Sequence, residues 1–173
     1  NRMVREYAER FYLPAHERFL RLEADGAARA IALAAALGRI RAAWPGLGAD
    51  MIETSLPSEI AVGERIRFRA RVRTGPLSTD DLRVELYAGR LNAHGEIEKP
   101  LVVEMQPAQE EAGATIYETT AVPDCGSGRH GYTARVLPRH PELRNAFIPG
   151  LILWANGAAG GTDRAQGPEG KTG

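Results

Sequence analysis

The stretch RIRFRARVR, residues 65–73, alternates without a break. Ile66, Phe68, Ala70 and Val72 fall on one face, and Arg65, Arg67, Arg69, Arg71 and Arg73 on the other. That is the period of two required by a strand with one buried and one solvated side. A helix would scatter the same residues around its axis, so the stretch predicts an antiparallel strand. Downstream, DLRVELYAG (81–89) repeats the pattern with Leu82, Val84, Leu86 and Ala88 inward. PLVVEMQ (100–106), ATIYETTAV (114–122), GYTARVL (131–137) and LILWA (151–155) follow at turn-separated spacings. Gly63, Thr74–Pro76, Gly95, Gly113, Cys125–Gly128 and Pro149–Gly150 supply the turn residues. About seven short alternating strands without helical crossovers predict a β-sandwich, with immunoglobulin-like topology the leading expectation. Tyr132, at the start of the penultimate strand, is the candidate structural corner, its hydroxyl closing back on nearby backbone.

Upstream of Gly48 the period is helical. Met3, Tyr7 and Phe11 recur at intervals of four, and Leu33, Leu37, Ile40 and Trp44 share a second face. Pro14 and the ADG of residues 24–26 punctuate the first half, and WPG at 44–46 ends the second, so two helices forming a hairpin are expected. The fold class is therefore α+β by content: a helical segment over 1–47, a sandwich over 48–156, and a Gly-rich tail over 157–173. The tail has almost nothing apolar to bury and reads as disordered. The chain opens in helical character without an initiator Met, as a piece of a longer polypeptide would.

Composition removes several function classes. The chain has 22 Lys+Arg and 22 Asp+Glu, so no global field draws it to nucleic acid or to an anionic membrane. No stretch approaches the roughly 20 apolar residues that span a bilayer. A lone cysteine, Cys125, makes neither an internal disulfide nor a thiolate metal site, and favours a cytoplasmic location.

Candidate chemistry is sparse. The arginine stripe of 65–73 reads as a solvated or cross-strand paired face, with Glu85 and Glu104 as outward acids to pair it. His16, His94, His130 and His140 show no metal-ligand spacing, so no metal site is expected. Arg129, His130 and His140 are the remaining ligand candidates, because RHG and RHP could bring both imidazoles to one end of the sandwich. No nucleophile elbow occurs, and the glycines of CGSGRHG enter a strand rather than a helix N-terminus. Glu96, Glu98, Glu104, Glu110 and Glu111 form no matched acid–base pair. Tyr87, Tyr117 and Trp154 are available to stack on sugar, although Trp154 at the end of LILW reads first as core.

Three ordered segments carry a resemblance. RMVREYAERFYLPA (2–15), DDLRVELYAGRLNAHGEI (80–97) and GRHGYTARVLPRHPELRNAFIPGLILWA (128–155) resemble the C-terminal region of bacterial-type α-glucan phosphorylases. The resemblance implies a piece of a retaining glycosyltransferase that releases glucose 1-phosphate from α-1,4-glucan with inorganic phosphate. It also implies pyridoxal 5'-phosphate in the full-length parent, on a lysine in a motif ahead of RMVREY. This chain has no match to that motif, and its lysines are Lys99 and Lys171. No catalytic or cofactor-binding residue is therefore carried over, and the chain by itself is expected to hold no cofactor and to be inactive. The implied partners are the catalytic portion of the parent, α-glucan, or a second copy, with no nucleic acid and no membrane. A glucan-binding module and an unrelated immunoglobulin-like interaction domain stay open as alternatives. If Tyr132 is the corner latch, Tyr132→Phe lowers stability by about 1 kcal/mol, the net worth of one hydrogen bond, read as a shifted denaturation midpoint.

Overall fold

A computed structural model of the chain describes residues 2–52, 65–122 and 129–157. The expectations for Gly63, for Cys125 and its turn, and for the tail beyond Gly157 lie outside those residues. Helices come first: α1 (Arg2–Tyr7), a π-helical turn (Ala8–Tyr12) and α2 (Leu13–Ala43). Pro14 does not break the helix but sits in the first turn of α2. In a regular α-helix its ring would press on the carbonyl four residues earlier, and the wider π turn directly before it relieves that contact. The ADG stretch does break it. Asp25, Gly26 and Ala27 take left-handed backbone at φ 56, 66 and 63°. Gly26 does so freely, Asp with little penalty, and Ala27 at a cost of about 1–2 kcal/mol.

After the break the expected stripe is buried only at Ile40 and in part elsewhere. Ala36 and Ile40 are fully enclosed, with Leu33, Leu37 and Trp44 partly so, and the WPG turn at Trp44–Gly46 ends the helix. Before the break, no residue of the helix is buried.

Among the described residues seven antiparallel strands follow: β1 (Gly48–Ile52), β2 (Ile66–Arg73), β3 (Leu82–Leu91), β4 (Ile97–Glu111), β5 (Ala114–Ala121), β6 (His130–Pro138) and β7 (Leu153–Trp154). Their order is β1-β2-β5-β4-β3-β6-β7. The 15-residue β4 belongs to both layers, pairing β3 through its first part and β5 through its last. On either side of it, β1-β2-β5-β4 and β3-β6-β7 follow the ABED and CFG order of immunoglobulin-like sandwiches. The free edges nearly meet: Met51 N–H donates to Asn156 O at 2.9 Å, and Asn156 N–H to Ala49 O at 2.8 Å. Gly89 stands at the β3–β4 irregularity between Ala88 and Arg90. A Cβ there would lie 2.8 Å from Ile97 Cγ2 and 3.0 Å from the Glu98 carbonyl oxygen.

The inward residues of β2 and β3 are those the alternation predicts, and all eight are buried. Phe68 of β2 meets Tyr132 of β6 edge-on, with ring centroids 5.1 Å apart, joining the two layers at their centre. Ile40 of α2 enters the same core, with Ala43, Trp44 and Leu47 packed against it. Arg39 bonds Asp81 Oδ1 at 2.5 Å, tying the helix to the turn before β3. Burial pushes the Asp81 carboxyl up, but the Ser78 N–H and hydroxyl and the Arg39 guanidinium outweigh it and hold it below its ordinary value.

Two expectations about aromatic rings are overturned. Tyr117 is not a surface ring: it lies opposite Ala70 on the inward side of β5 and is 2% exposed. Trp154 is not core, because Leu153 occupies the inward position of β7 and the period of two turns its neighbour outward.

Tyr117 Oη is buried without a hydrogen-bond partner among the described residues, and burial raises its pKa from 10.0 to about 12. The folded state thus holds the proton more tightly than the unfolded chain. The associated stability is intact below pH 10 and is lost as pH rises toward 12. Tyr117→Phe removes an unpaired polar atom while keeping the ring. The expected result is an unchanged or raised melting temperature at pH 7 and a shallower stability loss between pH 10 and 12, checked by denaturation across that range.

Candidate functional site

The outward face of the β3–β6–β7 layer carries the most enclosed polar cluster. Glu85, an outward residue of β3, is only 2% exposed. Its carboxylate accepts from Arg135 Nε at 2.7 Å and lies 2.5 Å from an Arg83 guanidinium nitrogen. Register explains the first contact, since Glu85 and Arg135 are directly opposed across β3 and β6. Rings enclose the pair. The Arg135 guanidinium carbon lies 5.3 Å from the Tyr87 ring centre, 4.8 Å from Phe147 and 5.8 Å from Trp154. Phe147 comes from the segment between β6 and β7, residues 139–152, which crosses this face as a strap. A carboxylate shared by two guanidiniums under aromatic cover has no free lone pair aimed at solvent, so the cluster clamps the strap rather than presenting an acid or base.

This arrangement corrects the expected pairing of the arginine stripe. Glu85 and Glu104 do not face β2. Glu85 pairs Arg83 and Arg135, and Glu104 pairs Arg83 and Arg139. The stripe finds its partners nearer by: Arg71 bonds Glu111 at 3.0 Å and Arg73 bonds Asp50 at 2.6 Å. β2 lies between β1 and β5, not beside β3, which is the physical reason.

The ligand candidates do not converge. His130 opens β6 opposite Arg90, whereas His140 follows its end, so the two imidazoles stand at opposite ends of a nine-residue strand, about 25 Å long. Arg129 directs its carbonyl to Leu91 N–H at 2.8 Å, and His140 Nδ1 accepts from Glu142 N–H at 3.1 Å. Among the described residues, no group of three or more His, Cys, Asp or Glu could hold a metal ion. Of the rings offered for sugar stacking, Tyr87 and Trp154 meet at 86°, so they form no flat platform. The chemistry of pyridoxal phosphate requires a lysine amine in an enclosed site. Lys99 is exposed on β4 and lines neither cleft described below, so among the described residues no lysine amine stands in an enclosed site.

A second cluster escapes sequence reasoning. Glu142 of the strap receives arginines from both sides of the helix break: Arg21 at 3.2 Å before it and Arg29 at 3.2 Å after it. Arg18 donates to the Glu142 backbone carbonyl at 2.6 Å. Beside them, Pro14, Arg18, Arg21, Pro141, Glu142 and Arg144 line a cleft of 340 Å³. A smaller cleft of 300 Å³ runs between the Thr74–Thr79 turn and the β4–β5 turn. Nothing periodic marks RHPELRNAF as the partner of a helix more than 100 residues earlier. The available signal is an isolated Glu between basic residues in a segment without strand alternation.

The sheet order and inter-sheet core define an immunoglobulin-like sandwich carrying an amino-terminal helical arm. Residues 44–156 match the glycogen phosphorylase C-terminal domain. The chain belongs to that family. It is 36% identical over 157 residues to a glycogen phosphorylase of Mycobacterium tuberculosis, covering 90% of this chain and 18% of the relative. It is 31% identical over 158 residues to a maltodextrin phosphorylase of Thermococcus litoralis, covering 89% and 18%. The chain thus spans less than a fifth of the length of these relatives.

If the Glu85–Arg135 pair clamps the strap, Arg135→Met leaves a buried carboxylate with only Arg83 to pair it and costs about 1–3 kcal/mol. The double variant Glu85→Gln with Arg135→Met recovers part of that loss. Chemical denaturation of the single and double variants checks both values.

Proposed function

We propose that the chain is the C-terminal accessory part of an α-glucan phosphorylase, itself non-catalytic, serving to pack on and support the rest of that enzyme. The parent's reaction, in this reading, is phosphorolysis of α-1,4-glucan to glucose 1-phosphate with pyridoxal phosphate bound elsewhere in the polypeptide. Residues 1–47 then belong with the catalytic half, 48–156 form the appended sandwich, and 157–173 are a tail. Tyr132 acts as the sandwich's corner latch, and the location is cytoplasmic.

The observation that carries this reading is the bare apolar face of the arm. Met3 and Val4 are 73% and 71% exposed, and Tyr7 and Phe11 are more than half exposed although their rings touch at 5.4 Å. Phe19 and Leu20 continue the exposure toward the break. A contiguous apolar helix face signifies a partner surface. The family match supports the parent's catalytic portion as that partner, and two perpendicular, guanidinium-clamped rings favour packing over glucan binding.

Two measurements test the reading. Given phosphate, pyridoxal phosphate and maltodextrin, the 173-residue chain is expected to make no glucose 1-phosphate above a no-protein control; formation above that control overturns the non-catalytic role. In sedimentation the chain is expected to self-associate, and Tyr7→Asp with Phe11→Asp to return it to monomer. A clean wild-type monomer with Tyr7 and Phe11 protected in its own fold counts against the docking face.

A further inference from the structure

We propose that the cleft between α2 and the strap binds a dianionic phosphate group through Arg18, Arg21 and Arg144. Three guanidiniums and one carboxylate line it. That carboxylate accepts a hydrogen bond from Arg29, beyond the helix break, at one oxygen, and Arg21 lies 3.2 Å from the other, which accepts no hydrogen bond among the described residues. Arg18 directs its N–H to a neutral carbonyl, which leaves its charge uncancelled. Arg144 makes no ion pair among the described residues. The cleft therefore keeps a surplus of positive charge, held on two walls that face each other.

The wall geometry favours a tetrahedral anion. Arg18 and Arg21 lie three residues apart on α2 and so present from one helix face. Arg144 approaches from the strap opposite. A phosphate offers oxygens in several directions and accepts forked guanidinium donors from each. A planar carboxylate satisfies fewer of them, and chloride uses no fork. Pro14 and Pro141 restrict the backbone on the two sides, and contacts to Glu142 orient Arg18 and Arg21 toward the strap. The volume of 340 Å³ admits inorganic phosphate or a small phosphomonoester. The site is built from this chain's own residues and does not depend on the accessory-domain reading.

The test titrates the 173-residue chain with sodium phosphate and, separately, with glycerol 3-phosphate, against sodium chloride at matched ionic strength. Binding is followed by phosphorus NMR linewidth and by melting temperature. Saturable binding of either phosphate and none of chloride is expected, and the tighter of the two identifies free phosphate or a phosphomonoester as the source. Arg144→Ala, an exposed position, is expected to weaken binding by about tenfold or more while leaving the ligand-free melting temperature unchanged. Arg67→Ala, on the distant β2 stripe, is expected to leave it unaltered. Absence of saturation, equal response to chloride, wild-type affinity in Arg144→Ala, or equal weakening by Arg67→Ala overturns the proposal.

Discussion

Everything in this sandwich depends on two inward faces meeting through Phe68 and Tyr132. One ring comes from β2 and the other from β6, so their contact joins the layers rather than strands within a layer. In antibody domains a disulfide links the corresponding pair of strands. Here an edge-to-face aromatic pair fills that role, and the burial of two rings supplies several kcal/mol of gross stabilisation without a covalent link. Around the pair, Ala70, Leu86, Ala134 and Val136 are completely enclosed, and Ile40 brings the end of α2 into the same core. A shift of one residue in β2 would turn arginines into this space, and the resulting cost holds the register.

The outward faces obey a different constraint, the disposal of charge. On β2, Arg73 and Arg71 stay partly in water and take acids from β1 and β4 respectively. On the other layer the strap covers Glu85 and Arg135, and a buried carboxylate persists there only because two guanidiniums and the surrounding rings replace its solvent. The strap is then held twice, by this pair near Phe147 and by the arginines gathered on Glu142. The second of these contacts also sets the direction of the helix. Residues on both sides of the left-handed break reach the same side chain, so the bend at Ala24–Ala27 and the position of the strap determine each other.

The arm beyond that bend is unlike the rest. Its apolar residues point to solvent, while ion pairs such as Arg5–Glu9 and Arg10–Glu6 support the helix locally. Exposed i,i+4 pairs contribute only a few tenths of a kcal/mol each. A helix so exposed draws little stability from packing within this chain. In the proposed reading, the surface that covers it belongs to the catalytic portion of a phosphorylase.

Alternation in RIRFRARVR and DLRVELYAG was enough to determine strands, inward faces and fold class, because a period of two is a local property that neighbours only confirm. The helix break at ADG was equally legible, since backbone preference resides in the residues themselves. Pro14 was misleading, because the π turn that accommodates it is invisible in composition. The pairing of charges was decided only in three dimensions. Glu85 and Glu104 sit at outward positions as the pattern requires, yet which arginine each one meets depends on strand order, and strand order is a property of the whole chain. The same holds for Trp154, whose place follows from Leu153 taking the inward side, and for Glu142, whose arginines lie on a helix far away in sequence. Sequence by itself determined what each segment is, through local periodicity and backbone chemistry. Tertiary structure decided which segments meet, because long-range contact follows from topology that no short window encodes.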